Sequence, residues 1–244
     1  MRLSAVVIDI EGTTSATAFV TGRLYPYSAD RLADWIDHHR ADPDIVRAVT
    51  QVRDLIGDPD AGTGPVVAAL LGWLAADQKV TPLKTLQGKI WADGFACGDL
   101  VAHFFPDVIP ELRRWKAAGL ALHIFSSGSV TAQRAWFGHS PDGDLRPLLS
   151  GYFDTENAGP KRAASSYRKI AAAIGADPAR TVFLSDVAAE LDAAREAGWH
   201  TVGVRRAGEP YYADGVGDHM HVASFSELDL PAGLPPRTAR QGPG

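Results

Sequence analysis

A chain of 244 residues, 45% hydrophobic and 22% charged, has the material for one large domain or for a core with a smaller domain inserted in it, and general disorder is excluded. A formal net charge of −5, with Lys and Arg scattered along the chain, speaks against nucleic acid or an anionic membrane as partner, because such binders gather a basic face. Cys97 is the only cysteine, which excludes an internal disulfide and a Cys-rich zinc site and predicts a small buried apolar residue there.

The chain opens on MRLSAVVIDIEG, whose short apolar run stops at an acid. It reads as neither a signal peptide nor a membrane span, so the cytoplasm is the expected compartment. Leu3 to Ile10 reads as a buried strand whose exit carries Asp9 and Glu11, two carboxylates that are costly to desolvate. Between Gly12 and about Gly98 the apolar spacing is helical, in ADRLADWIDHH, DIVRAVTQVRDLIG and PVVAALLGWLAAD. Asp30, Asp42 and Thr81 are the expected N-caps, and GDPDAGTG the expected loop. An insert this long at the first strand's exit predicts a lid, which divides the chain into a core of 1–14 and 100–230, a helical cap of 15–99, and a mobile Pro- and Gly-rich tail of 231–244.

From Asp107 a helix closed by Gly119 leads into β-rich runs at Leu120 to Ser127, Tyr152 to Asp154, Thr181 to Asp186 and Thr201 to Arg205. Strands alternating with helices predict an α/β fold with a doubly wound parallel sheet. The tryptophans, Trp73, Trp91 and Trp115 among them, read as core, and Arg113, Arg114, Arg205 and Arg206 as solvated faces. His219 and His221 read as surface residues, and His139 either approaches a substrate or packs at a helix end.

In such a sheet ligands bind beyond the carboxyl ends of the strands. Those exits carry Asp9 and Glu11, then Ser126, Ser127 and Gly128, then Ser185 and Asp186, with Lys161 arriving from the loop after the third strand. The set suits phosphoryl transfer through an aspartate. Asp9 and Asp186 are fit to share one Mg²⁺, with a backbone carbonyl, a phosphate oxygen and water completing an all-oxygen shell. Asp9 is then the nucleophile, and Glu11, two residues on, the acid and base. Ser126 offers a hydroxyl, Ser127 and Gly128 offer N–H groups, and a helix starting near Ser129 turns its positive end to the anion. Lys161 adds a point charge for the phosphoryl oxygens. The expected partner is a small phosphate ester, and nothing demands an oligomer, so a monomer is expected. Phe19, Trp91 and Phe95 offer an apolar wall where the cap covers the site.

These residues resemble the haloacid dehalogenase superfamily, whose opening signature is Asp, any residue, a second acid, Gly and Thr. Its phosphatases mostly carry Asp as the second acid, where this chain has Glu11. The string DIEGTT with FV and LYPYS resembles the acireductone synthases, the enolase-phosphatases of methionine salvage. LQGKIWADGF, FSSGSVTAQRAWFGHSPDGDL, YFDT, SYRKIA, FLSDVAAELDAAREAG and SFSEL extend the likeness over most of the chain.

The resemblance implies Asp9 as nucleophile and metal ligand, Glu11 as acid and base with its carbonyl on Mg²⁺, Ser126 and Ser127 on substrate, Lys161 on phosphate and Asp186 on metal. It implies enolisation of a diketo-methylthiopentyl phosphate followed by loss of phosphate, with Glu11 one candidate for the enolising base. Glu190, four residues beyond Asp186, has the spacing of a further acid in the superfamily. Two readings stand beside this one. A sugar-phosphate phosphatase or phosphomutase shares the phosphate-reading residues. A receiver-like phosphoacceptor module shares the Asp, hydroxyl and Lys, but is about half as long and carries its Asp mid-chain.

Overall fold

The computed structural model describes residues 2–234. Among the described residues, six strands form one parallel sheet in the order β3-β2-β1-β4-β5-β6. They are β1 Ala5–Ile8, β2 Ala121–Phe125, β3 Leu149–Phe153, β4 Thr181–Ser185, β5 His200–Val204 and β6 His221–Val222. β1 is central, with Val7 opposite His123 of β2 and Phe183 of β4. Its unbroken apolar run follows from cover on both faces: Val6 and Ile8 pack with Leu112 and Trp115, Val7 with Tyr167 and Leu191. The strand stops at Ile8, two residues short of the expected end, because Thr13, Thr14 and Ser15 all donate N–H bonds to the Ile10 carbonyl in a tight turn.

Between β1 and β2 lie α1 Thr17–Phe19, a π-helical turn Val20–Leu24, α2 Tyr25–Ala29, α3 Leu32–His38, α4 Pro43–Ile56, α5 Thr63–Ala75 and α6 Thr81–Ala96. Helices α3 to α6 surround a cluster of their own, in which Leu32, Val52, Val66, Leu70 and Leu86 are fully buried. Asp42 caps α4 by accepting from the Asp44 N–H at 2.8 Å, with Pro43 in the first turn and Gly57 at φ +72° closing the helix. The other two expected caps are corrected. Asp30 ends α2 in helical backbone, and Thr81 is already inside α6, because Val80 holds the extended conformation that a cap position needs.

The second half of the chain adds α7 Val108–Ala117, α8 Val130–Gly138, α9 Ala164–Ile174 and α10 Ala188–Glu196. α7 and α8 cover one sheet face, α9 and α10 the other. Cys97 is exposed rather than buried, since it caps α6 beyond the stripe that Trp91 and Phe95 bury. Trp73 is half-buried, and Trp91 and Trp115 lie in the core.

Arg206 is no solvated residue: it is buried, pairs with Asp107 at 2.8 Å, and donates to the Thr13 carbonyl at 3.1 and 3.2 Å. His219 is buried between Thr201 and Asp192, while His221 is exposed. His139 packs at the end of α8, stacked on Phe95. Of the tail expected to be mobile from 231, residues 231–234 are described, with Leu234 packed against the core, and residues 235–244 lie outside the described residues. No helix among the described residues is long and apolar enough to cross a membrane.

Candidate active site

Asp9 leaves β1 at the sheet's centre, buried, with its own N–H bonded to the Leu184 carbonyl at 3.0 Å. Its Oδ1 accepts from the Ile10 N–H at 2.8 Å and meets Lys161 Nζ at 2.7 Å, and Ser185 Oγ lies 3.4 Å from Oδ2. Lys161 also reaches Glu190 Oε2 at 2.7 Å, and Glu190 in turn accepts from Ser185 at 3.0 Å. Burial acts against the Lys161 ammonium, but the two carboxylates outweigh it and hold its pKa above the ordinary range. Burial raises the Glu190 carboxyl, with Lys161 opposing. Lys161 is therefore a clamped charge. Glu190 is the partner that clamps it, a role that its spacing alone leaves unassigned.

The residues behind the two acids hold the site's shape. Gly12 sits at φ +71°, and a Cβ there would lie 2.0 Å from Asp186 Oδ2, so only glycine lets the β1 exit pass the β4 exit. Thr13 Oγ1 accepts from the Asp186 N–H at 3.1 Å, and Thr14 Oγ1 donates to the Ile10 carbonyl at 3.2 Å. Arg206 and Asp107 anchor that turn from beneath, through the Thr13 carbonyl.

Asp186 is buried, and its Oδ1 has no hydrogen-bond partner among the described residues. Burial first, and the Asp9 charge second, push its carboxyl up to about 8. Glu11 lines the same cavity and is half-buried; burial raises its carboxyl, with Lys79 opposing and Asp9 adding to the rise.

Ser126 and Ser127 line the cavity at the exit of β2. Gln133 pins this loop by donating to the Gly128 carbonyl at 2.8 Å and the Phe153 carbonyl at 2.9 Å. The expected phosphate cradle differs in two respects. The Gly128 N–H donates to Ser126 Oγ at 3.2 Å. The start of α8 is already capped, by Asp154 on the Val130 N–H and by Ser129 on the Ala132 N–H. Loop closure takes these donors, which leaves Ser126 and Ser127 as the loop's contribution to the cavity wall.

The cavity holding Asp9, Glu11, Lys161 and Asp186 has a volume of about 530 Å³. Beside it opens an apolar pocket walled by Ile10, Leu24, Trp91, Phe95 and Trp136. Of the three aromatics expected there, Trp91 and Phe95 line it, and Phe19 packs edge-on behind Trp136 at 5.4 Å. The cap also supplies Lys79 and Lys84, which sequence reasoning did not single out. Lys84 is buried and donates to Thr155 Oγ1 at 2.6 Å.

Comparison with known proteins places the chain in a family. A family model described as haloacid dehalogenase-like hydrolase matches residues 3–198. Enolase-phosphatase E1 of Streptomyces avermitilis is 59% identical over 228 residues, covering 93% of this chain and 95% of its own. Enolase-phosphatase E1 of Frankia alni is 54% identical over 226 residues, with the same two coverages of 93% and 95%. Among solved structures, the UTR4 protein of Saccharomyces cerevisiae superposes with a TM-score of 0.76 at 31% identity, covering 93% of this chain and 100% of its own. With a family model matching residues 3–198 and relatives this similar over nearly their full length, the chain belongs to the haloacid dehalogenase-like hydrolases and, among them, to the enolase-phosphatases.

Proposed function

We propose that this phosphatase converts 2,3-diketo-5-methylthiopentyl-1-phosphate to the acireductone 1,2-dihydroxy-3-keto-5-methylthiopentene and phosphate, a step of methionine salvage, by enolisation and then phosphoryl transfer through Asp9. One observation carries the reading: Asp9, Glu11, Lys161 and Asp186 share a cavity that adjoins an apolar pocket. Phosphate suits the charged floor, and a methylthio tail suits the aromatic wall. A sugar phosphate has no use for that wall.

The donor set fits one Mg²⁺ per chain. Among the described residues no group of three or more His, Cys, Asp or Glu side chains is placed to hold a metal, which disfavours zinc. Two carboxylates with substrate and water oxygens are what Mg²⁺ takes, and the unpartnered Asp186 Oδ1 is a buried acceptor in need of a cation. Asp9, Asp186 and the Glu11 carbonyl would hold it. When bound, it supplies positive charge that screens the Asp9 carboxylate from the phosphate dianion.

Asp9 attacks phosphorus and forms an aspartyl-phosphate. Lys161, fixed by Glu190, bears on the phosphoryl oxygens as charge builds there, and Ser126 and Ser127 orient the group. Glu11 gives a proton to the departing oxygen and later takes one from the water that attacks the aspartyl-phosphate.

The test is to supply the diketo phosphate with Mg²⁺ and follow the ultraviolet absorbance of the enediol alongside phosphate release. Both should rise together, and Glu11→Gln should stop phosphate release. Hydrolysis of generic esters with no enediol formed from the diketone would transfer the assignment to a general phosphatase.

A further inference from the structure

The charged cavity and the apolar pocket share four lining residues: Glu11, Lys79, Ser126 and Ser127. Three belong to the core and already have roles. Lys79 belongs to the cap, in the turn between α5 and α6, and the scheme above gives it nothing to do. With phosphate on the charged floor and the methylthio tail among Trp91 and Phe95, C1 and the two carbonyls lie at the junction that these four residues line. Lys79 is held at that junction from two sides. Its ammonium donates to the Tyr25 hydroxyl and, at 2.8 Å, to Asp77 Oδ1. Asp77 itself holds φ +50°, a left-handed conformation that Asp enters more readily than most residues, and its carboxylate lies beside the lysine.

We propose that Lys79 is a catalytic residue of the enolisation, its ammonium holding the C2 oxygen of the diketone as negative charge develops there. The inference rests on the function proposed above and names the cap's share in it. Lys79 acts as a donor and not as the base: burial opposes its charge, but Glu11, Tyr25 and Asp77 outweigh burial and keep the ammonium protonated. Glu11 takes a proton from C1, the C–H electron pair becomes the C1=C2 double bond, and the carbonyl π pair moves onto the C2 oxygen, which Lys79 binds as the enolate. The proton now on Glu11 passes to the C1 oxygen as its bond to phosphorus breaks and Asp9 takes the phosphoryl group. The product leaves as an enediolate. Water then hydrolyses the aspartyl-phosphate, and its proton leaves through Glu11. No oxidant or reductant enters.

A diketone with a methylene phosphonate in place of the phosphate ester isolates this step, because it enolises but cannot be dephosphorylated. In deuterium oxide with Mg²⁺ the wild-type protein should exchange its protons at the carbon corresponding to C1, followed by proton NMR. Lys79→Met should slow the exchange about 100-fold, the loss typical of one removed oxyanion donor, and Lys79→Arg should restore part of it. Hydrolysis of p-nitrophenyl phosphate, which has no carbonyl, should fall ~10-fold less than exchange does in Lys79→Met. Exchange at the wild-type rate in Lys79→Met, or equal losses in the two assays, would overturn the role of Lys79 and leave the phosphatase reading intact. A wild-type protein that hydrolyses p-nitrophenyl phosphate yet exchanges no proton of the phosphonate would overturn the enolase reading itself, and Lys79 with it.

Discussion

On the core side of the site the charged groups are buried and interlocked: Asp9, Lys161, Glu190 and Ser185 form a chain of contacts no longer than 3.4 Å, and the Lys161 side chain is 7% exposed. On the cap side the facing cation, Lys79, is 39% exposed and held by Tyr25 and Asp77, and most of the remaining wall is aromatic and aliphatic. The difference separates two tasks. In the proposed reaction the core fixes a phosphoryl group, which demands charges that do not move when the charge of the transition state appears. In that reaction the cap meets the rest of the substrate with an apolar wall and with Lys79, held at the junction by Tyr25 and Asp77. Damage on the two sides should therefore differ in kind: core changes should abolish chemistry or unfold the protein, and cap changes should alter which substrates react.

The largest effect belongs to Asp9→Asn. Without the nucleophilic carboxylate, phosphate release should fall by about 10⁴-fold or more with every ester offered. Acid-quenched protein should also carry no acyl-phosphate. Lys161→Met comes next, because it leaves Asp9 and Glu190 buried without their cation. An uncompensated pair of this kind costs about 3–5 kcal/mol, read from urea unfolding at neutral pH. The deficit should shrink in acid, where protonated carboxyls no longer need the lysine. A Lys161→Met protein as stable as wild type would mean that the core side is wetter and looser than its contacts imply.

Third is Gly12→Ala. The new methyl would fall 2.0 Å from Asp186 Oδ2 on a backbone at φ +71°, so stability should drop by about 2 kcal/mol and activity should fall with the displaced carboxylate. This glycine also shows what the sequence could and could not disclose. Asp9, Glu11, Lys161 and Asp186 were legible because strands announce themselves by burial and a parallel sheet gathers their exits at one edge. The core strands were likewise legible, apart from their ends and the two-residue β6, whose pairing is too short to leave a pattern.

The misses share a cause in contacts that span the chain. Arg206 looked solvated because Asp107, its partner, is 99 residues away. Glu190 showed only a spacing, since its value lies in reaching Lys161 from the first turn of α10. Lys79 had no signal beyond being a lysine between two helices. It became visible only when the fold brought two cavities together.

A pH effect follows from Asp186, whose carboxyl is raised to about 8 against an ordinary 3.8. Between those values the folded chain holds a proton that the unfolded chain releases, so without metal the stability should fall as pH rises from about 4 to about 8 and level off above. Urea midpoints at pH 5 and pH 8 would show it. Asp186→Asn should flatten the difference, and Mg²⁺ added to the wild type at pH 8 should restore stability by replacing the proton. A wild-type midpoint indifferent to both pH and Mg²⁺ would break the link between the orphaned carboxylate and a cation.

The smallest effect tests the seam between the two sides. Gly88 lies on α6, and a Cβ there would fall 2.4 Å from Ser129 Oγ, the hydroxyl that caps α8. In Gly88→Ala the serine hydroxyl must turn away and release the Ala132 N–H, a loss of about 1 kcal/mol. Alanine inside a helix returns about 1 kcal/mol over glycine. The two nearly cancel, so the urea midpoint should hardly move. Activity should still respond, because the new methyl sits where the cap helix meets the start of α8, beside the loop that carries Ser126 and Ser127, and the KM for the diketo phosphate should rise by several fold while Asp9 chemistry on p-nitrophenyl phosphate keeps most of its kcat. Equal loss of kcat on both substrates would mean that the cap helix shapes the phosphate loop itself, and the division of labour between core and cap would have to be redrawn at Ser129.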